Sequence, residues 1–259
     1  MYTSSKASPA SKPATLQPLP VDILSKHEFN ARADKSTPWF RIVPVVKYLR
    51  IDNDAWRLML TNFLRAELSY PSCGDHPGTF DCSQTCHRCG GPYRHSRHQA
   101  VVHAFIRSCT RFGISSSEQL SVALGVAPQD KRPDIIVHRN LDNEGPLVLD
   151  VSVPHQSVSH NYNATLSAWN AKQNKYKDWR SDVVDFAPLI ISTFTHVHPK
   201  SLDSIAKLRK VSNGSGFVTD CISRMKVALV NFEPYRRKAL HVRENAGTLA
   251  SDPCTEVPE

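Results

Sequence analysis

The sequence predicts an α/β fold, a small mixed sheet flanked by helices, and three observations carry that expectation. QLSVALGV places Leu120, Val122, Leu124 and Val126 at every second position, the period of a strand with one buried face. KRPDIIVHRNLDNEGPLVLDVSVP, residues 131–154, holds two short apolar runs around a polar turn, the form of two adjoining strands. HNYNATLSAWNAKQNKYKDW then spaces Tyr162, Leu166, Trp169 and Tyr176 by 4, 3 and 7 residues, as a helix does.

The elements follow in chain order. Residues 1–20 contain four Ser, four Pro and two Lys with almost no large apolar residue, so a disordered leader is expected, taken to residue 38. WFRIVPVVKYLRI is a strand or packing segment. NDAWRLMLTNFLRAEL reads as an amphipathic helix with Asp52 or Asn53 as N-cap and Trp56, Leu60, Phe63 and Leu64 on one face. Residues 39–72 are thus expected to form a helical linker segment. Residues 68–97 read as loop and hold a Cys/His cluster, assigned to 73–98. RHQAVVHAFIRSCTRFG is a helix burying Val101 or Val102, Phe105, Cys109 and Phe112, with Gly113 as its C-cap. After the strands and the helix above, VVDFAPLIISTF is a further strand, closing a core over 99–198. Basic helices are expected near 202–210 and 217–231 within a 199–243 extension, before a disordered 244–259 tail. Helix, three strands, helix, strand and helices make an α/β core.

Charge narrows the partners. The 259 residues carry a net charge of +8, and the excess is clustered. Residues 86–132 hold seven Lys/Arg against two Asp/Glu, and residues 199–243 hold ten against three. Such a field attracts phosphate-rich partners and gives sequence-independent affinity for nucleic acid. The N-terminus lacks the apolar core of a signal peptide, and no apolar run reaches about 18 residues. The expected location is the nucleus or cytoplasm rather than outside the cell, with no membrane partner. In a reducing compartment the seven cysteines read as metal ligands or core thiols rather than disulfides.

Two clusters carry chemistry. Cys73, Cys82, Cys86 and Cys89 fall within 17 residues, with His76, His87, His95 and His98 among them. Thiolate and imidazole suit tetrahedral Zn²⁺, and the two-residue gap between Cys86 and Cys89 lets their sulfurs reach one ion. In a loop with few apolar residues, a structural zinc would act as the core. Cys73, His76, Cys82, Cys86 and Cys89 are the candidate ligands, and the identity of the four is left open by the spacing.

The second cluster is built on carboxylates. Asp134 opens one strand and Asp150 lies inside the next, 16 residues on. If the strands pair, their oxygens converge on one edge and suit a hard divalent cation such as Mg²⁺. The nuclease pattern PD, gap, D/E-x-K is present as Pro133-Asp134 and Asp150-Val151-Ser152, with Ser152 where a lysine is expected. The following helix offers a replacement: Lys172, three residues after Trp169, falls at the edge of the packed face. Solvated surface charge is the ordinary alternative for Lys172 and Lys175.

In this order the motifs resemble the C-terminal restriction-like endonuclease of site-specific non-LTR (LINE-like) retrotransposons. That family runs from a zinc knuckle to an Arg-His motif opening a helix, then Lys/Arg-Pro-Asp on a strand and Asp on the next. A Lys-x-x-Lys-Tyr helix follows. Here these are the 73–89 cluster, Arg97-His98, KRPDIIV, LVLDVSV and Lys172-Gln-Asn-Lys175-Tyr176, over roughly residues 54–195. The resemblance implies a PD-(D/E)xK core preceded by a zinc knuckle, with the catalytic lysine supplied from the helix. The knuckle spacing departs from the family, which asks for His at Asp81 and Cys at Tyr70.

The resemblance further implies a Mg²⁺-dependent DNA-nicking enzyme. Asp134 and Asp150 would bind the metal, Lys172 would assist water attack, and Lys175 and Tyr176 would support the scissile phosphate. Arg97, His98 and Arg132 would contact double-stranded DNA, and element RNA is a further expected partner. No Tyr-x-Asp-Asp polymerase turn is present, so the expectation is a truncated piece lacking the reverse transcriptase. The alternative is a catalytically inactive, zinc-containing nucleic-acid-binding remnant of such an element.

Overall fold

A computed structural model describes residues 49–63, 80–118, 132–138, 145–155, 163–178 and 184–245. Helices α1 (Asn53–Phe63), α2 (Phe80–Thr85) and α3 (His87–Arg111) come first. Strands β1 (Ser116–Glu118), β2 (Ile135–Val137) and β3 (Leu147–Ser152) follow, then helix α4 (Ala164–Lys175) and strand β4 (Asp185–Ile190). Helix α5 (Pro199–Lys207) runs into a 3₁₀ turn, and α6 (Phe217–Asn245) is the longest described helix. The chain is therefore mixed α/β, with a four-stranded sheet ordered β1-β2-β3-β4. β1, β2 and β3 form an antiparallel meander, and β4 lies parallel to β3. A parallel neighbour requires a crossover, and α4 supplies it.

The period of two sorts the strand residues between faces. Ile135, Val137, Leu147, Leu149, Val151, Ala187 and Leu189 pack with Val101, Phe105 and Cys109 of α3 and with Cys221, Met225 and Leu229 of α6. Burying each large aliphatic or aromatic chain of this core contributes about 1.5–3 kcal/mol relative to exposure. The alternate residues Ile136 and Val148 face the other way, against Tyr176, Val184 and Phe186. Asp134 and Asp150 belong by parity to this second face, the one served by the crossover helix.

Two local devices fix the frame. α3 ends as expected: Gly113 takes φ +69, and Ile114 N–H donates to the Cys109 carbonyl at 2.9 Å. β4 is an edge strand containing Pro188, a residue tolerated there because it has no N–H to donate. Ser201 of α5 covers that edge, donating to the Pro188 carbonyl at 3.0 Å and accepting from Ile190 N–H at 3.0 Å.

Several expectations are corrected. Residues 80–85 and 87–97 are helical rather than loop, despite Gly90, Gly91 and Pro92. Gly91 N–H bonds the Cys86 carbonyl at 3.2 Å, an i→i−5 bond that widens the turn ahead of Pro92. α1 buries Ala55, Leu58 and Met59, while Trp56 is exposed; apolar residues occur all round this helix, and α6, through Val230, decides which face is covered. On α4, Leu166 is exposed, whereas Ala164, Thr165 and Trp169 are buried. The tail helix continues through Pro234 to Asn245 instead of ending near 231. The strand expected in QLSVALGV lies outside the described residues, as do the leader, Tyr162 and the segment 64–79. No described helix is long and apolar enough to cross a membrane.

Candidate active site

The register that pairs Ile135 with Leu149 and Ile136 with Val148 continues by one step to set Asp134 opposite Asp150. Asp134 N–H donates to the Leu149 carbonyl at 3.0 Å, so the ladder reaches this pair. Two carboxylates separated by 16 residues thus become cross-strand neighbours on the α4 face. Like charges so placed cannot both ionise without a counter-charge.

Their environments push them apart. Asp150 is 2% exposed, and burial raises its carboxyl above the ordinary 3.8. Lys172 opposes that rise and Asp134 adds to it. Burial also pushes Asp134 upward, but the neighbouring His98, Asp150 and Val151 N–H outweigh it, leaving Asp134 low. Geometry explains the difference: Asp134 Oδ2 accepts from Val151 N–H at 2.6 Å and lies 3.0 Å from His98 Nε2.

The lysine helix closes over this pair. Asn163 caps α4, accepting from Leu166 N–H at 3.1 Å. Thr165, Trp169, Lys172 and Tyr176 follow at helical spacing along the sheet-facing side. Trp169 is buried and stacks on His198 with centroids 4.8 Å apart, fixing the rotation of the helix. Lys172 Nζ consequently lies 2.6 Å from Asp150 Oδ2, with Lys175 Nζ at 3.8 Å from the same oxygen. Lys175, at 42% side-chain exposure, also lies 4.7 Å over the Tyr176 ring.

Tyr176, Arg132 and Arg97 complete the expected set. Tyr176 is buried against Phe186, and its hydroxyl donates to the Arg132 carbonyl at 3.3 Å. Burial and the neighbouring Asp150 raise its phenol far above the usual range. Arg132 is exposed beside it.

Arg97 is a correction: it is 5% exposed and turned into the protein, where it donates to Gln84 Oε1. Gln84 Nε2 donates in turn to both oxygens of Glu233, at 3.2 and 3.1 Å. Arg236 donates to Glu233 at 2.7 and 3.0 Å and to the Ser83 carbonyl at 2.7 Å. Burial lowers the Arg97 guanidinium to about 10, still charged at neutral pH. This polar cluster joins α2, α3 and α6, and contact with a DNA backbone is closed to Arg97.

Of the cysteine cluster, Cys82 and Cys86 are described, half-buried and outside any disulfide. Cys86 N–H donates to the Cys82 carbonyl at 2.9 Å, so the two lie one turn apart at the α2–α3 junction. Cys73 and His76 are outside the described residues, and the side chain of Cys89 is not described. Among the described residues no group of three or more His, Cys, Asp or Glu is arranged to hold a metal. The Asp134–Asp150 pair offers hard oxygen donors from facing strand positions, a set that suits Mg²⁺, which keeps several waters and takes few protein ligands. No family model matches the chain, and no curated protein matches it.

Proposed function

We propose that this chain is a metal-dependent DNA endonuclease of the restriction-like, PD-(D/E)xK type, which nicks a phosphodiester by attack of water. The observation that carries the reading is the convergence of Asp134, Asp150 and Lys172, with 2.6 Å between the lysine and Asp150. The order helix, three antiparallel strands, crossover helix and parallel strand supports it, because it sets those residues on one sheet face. Ser152, half-buried at the end of β3, leaves the usual lysine position empty of charge, and Lys172 supplies a cation from α4.

A divalent cation bound by Asp134 and Asp150 would polarise the scissile phosphate and lower the pKa of a bound water. Asp150, the carboxyl with the higher proton affinity, accepts a proton readily and is therefore the one whose ionisation limits metal binding at acid pH. Lys172 orients the attacking water and balances negative charge developing on the phosphate. Lys175, more exposed on the same rim, meets the flanking phosphate. Arg132 and the exposed basic side chains of the 86–132 and 199–243 segments hold the DNA backbone, which positions the cut without reading sequence. Zinc, held among Cys73, His76, Cys82, Cys86 and Cys89, would be structural.

The test is Asp150→Ala. Metal-dependent nicking should disappear while salt-sensitive DNA binding survives. Undiminished nicking by that variant would sink the site. DNA binding by the wild type with no cleavage at all would instead favour the inactive nucleic-acid-binding remnant.

A further inference from the structure

Resting on that reading of the carboxylate pair, we propose that His98 is a positioning residue that fixes Asp134 for its cation, rather than a contact to the DNA backbone. Asp134 Oδ2 receives His98 Nε2 at 3.0 Å from α3 and Val151 N–H at 2.6 Å from β3. Two donors from different elements engage this one oxygen, which fixes the carboxylate's orientation from α3 and from β3. The ring nitrogen facing a carboxylate carries the proton, making His98 Nε2 the donor.

The neighbouring residue explains why the ring stays there. Successive residues on a helix project about 100° apart. Arg97 is locked inward through Gln84 to Glu233 of α6, which sets the rotation of α3 and turns His98 toward the sheet end. His95, one turn earlier, stacks against the His98 ring at 6.4 Å and 15°, limiting its swing. The Arg97-His98 dipeptide therefore divides its work: one side chain anchors the helix, the other orients a metal ligand. Carboxylates that ligate metals are themselves held by hydrogen bonds from outer residues, and losing such a residue costs about 10–100-fold in metal affinity.

The experiment is calorimetric titration of the full chain with Mg²⁺ and with Mn²⁺, for wild type, His98→Ala and His98→Gln, beside DNA affinity at one fixed salt concentration. His98→Ala should bind the cation about 10–100-fold more weakly with DNA affinity unchanged. His98→Gln, whose amide can donate to Asp134, should recover most of the loss, a rescue that a purely structural role does not predict. Equal cation affinity in wild type and His98→Ala overturns the assignment, as does lost DNA affinity with cation binding intact. A wild type that binds neither cation overturns the carboxylate metal site itself, and this assignment with it.

Discussion

Lys172→Met keeps the aliphatic stem of the side chain and removes only the charge, so its effect isolates the ammonium beside Asp150. At 2.6 Å and an effective dielectric near 20, the gross attraction is about 6 kcal/mol. Desolvation of a carboxylate that is 3% exposed offsets much of this, and the 23% exposure of the lysine side chain weakens it further. The net loss of stability should be on the order of 1–3 kcal/mol.

Catalysis should suffer more, because the charge is needed where negative charge develops. Removing one fixed electrostatic donor costs about 10²–10³-fold in rate. The pH dependence supplies a second signature. Lys172 is the strongest influence holding the Asp150 carboxyl down, so without it that carboxyl rises further. Any residual activity should then have its acid limb displaced to higher pH, since the ionised, metal-binding form appears later. Single-turnover nicking at saturating DNA and Mg²⁺, measured across pH, reads rate and limb together. Activity within about threefold of wild type, with an unmoved limb, would refute the role of Lys172.

Two further outcomes follow from the same geometry. Glu233→Ala should destabilise the fold by about 3–5 kcal/mol in chemical denaturation, since it strands the buried Arg97 and Arg236 without their shared anion; a loss below about 1 kcal/mol would contradict the anchoring of α3 to α6. Asp150→Asn, melted in EDTA, should gain on the wild type as pH rises. Asp150 has a raised folded pKa, so its contribution is fully present below 3.8 and is lost as pH climbs through the raised value. Asparagine undergoes no such loss. Asp134 runs the opposite way, stabilising above 3.8 and losing that contribution as pH falls through its lowered value. A melting difference independent of pH would contradict the assigned shift of Asp150.

The carboxylates and their lysine were readable because each obeys a local period. Parity in two short strands sets Asp134 and Asp150 on one face, and helical spacing from Trp169 sets Lys172 over them. Arg97 was misread because its partners are remote: Gln84 and Glu233 are 149 residues apart, and no local pattern joins them. Its Arg-His context gives charge without direction, and direction is set by what α6 buries. β1, with sequence SSE, has no apolar alternation and forms by pairing with β2. Trp56 and Leu166 show the same limit in reverse, since large apolar residues marked a face that packing assigned to smaller neighbours.

Nicking of supercoiled plasmid by the wild-type chain, with Mg²⁺ and with EDTA, tests the central claim most directly. The arrangement of Asp134, Asp150 and Lys172 predicts open-circular product with Mg²⁺ and none with EDTA. Plasmid that is bound yet stays supercoiled at every Mg²⁺ concentration would contradict it.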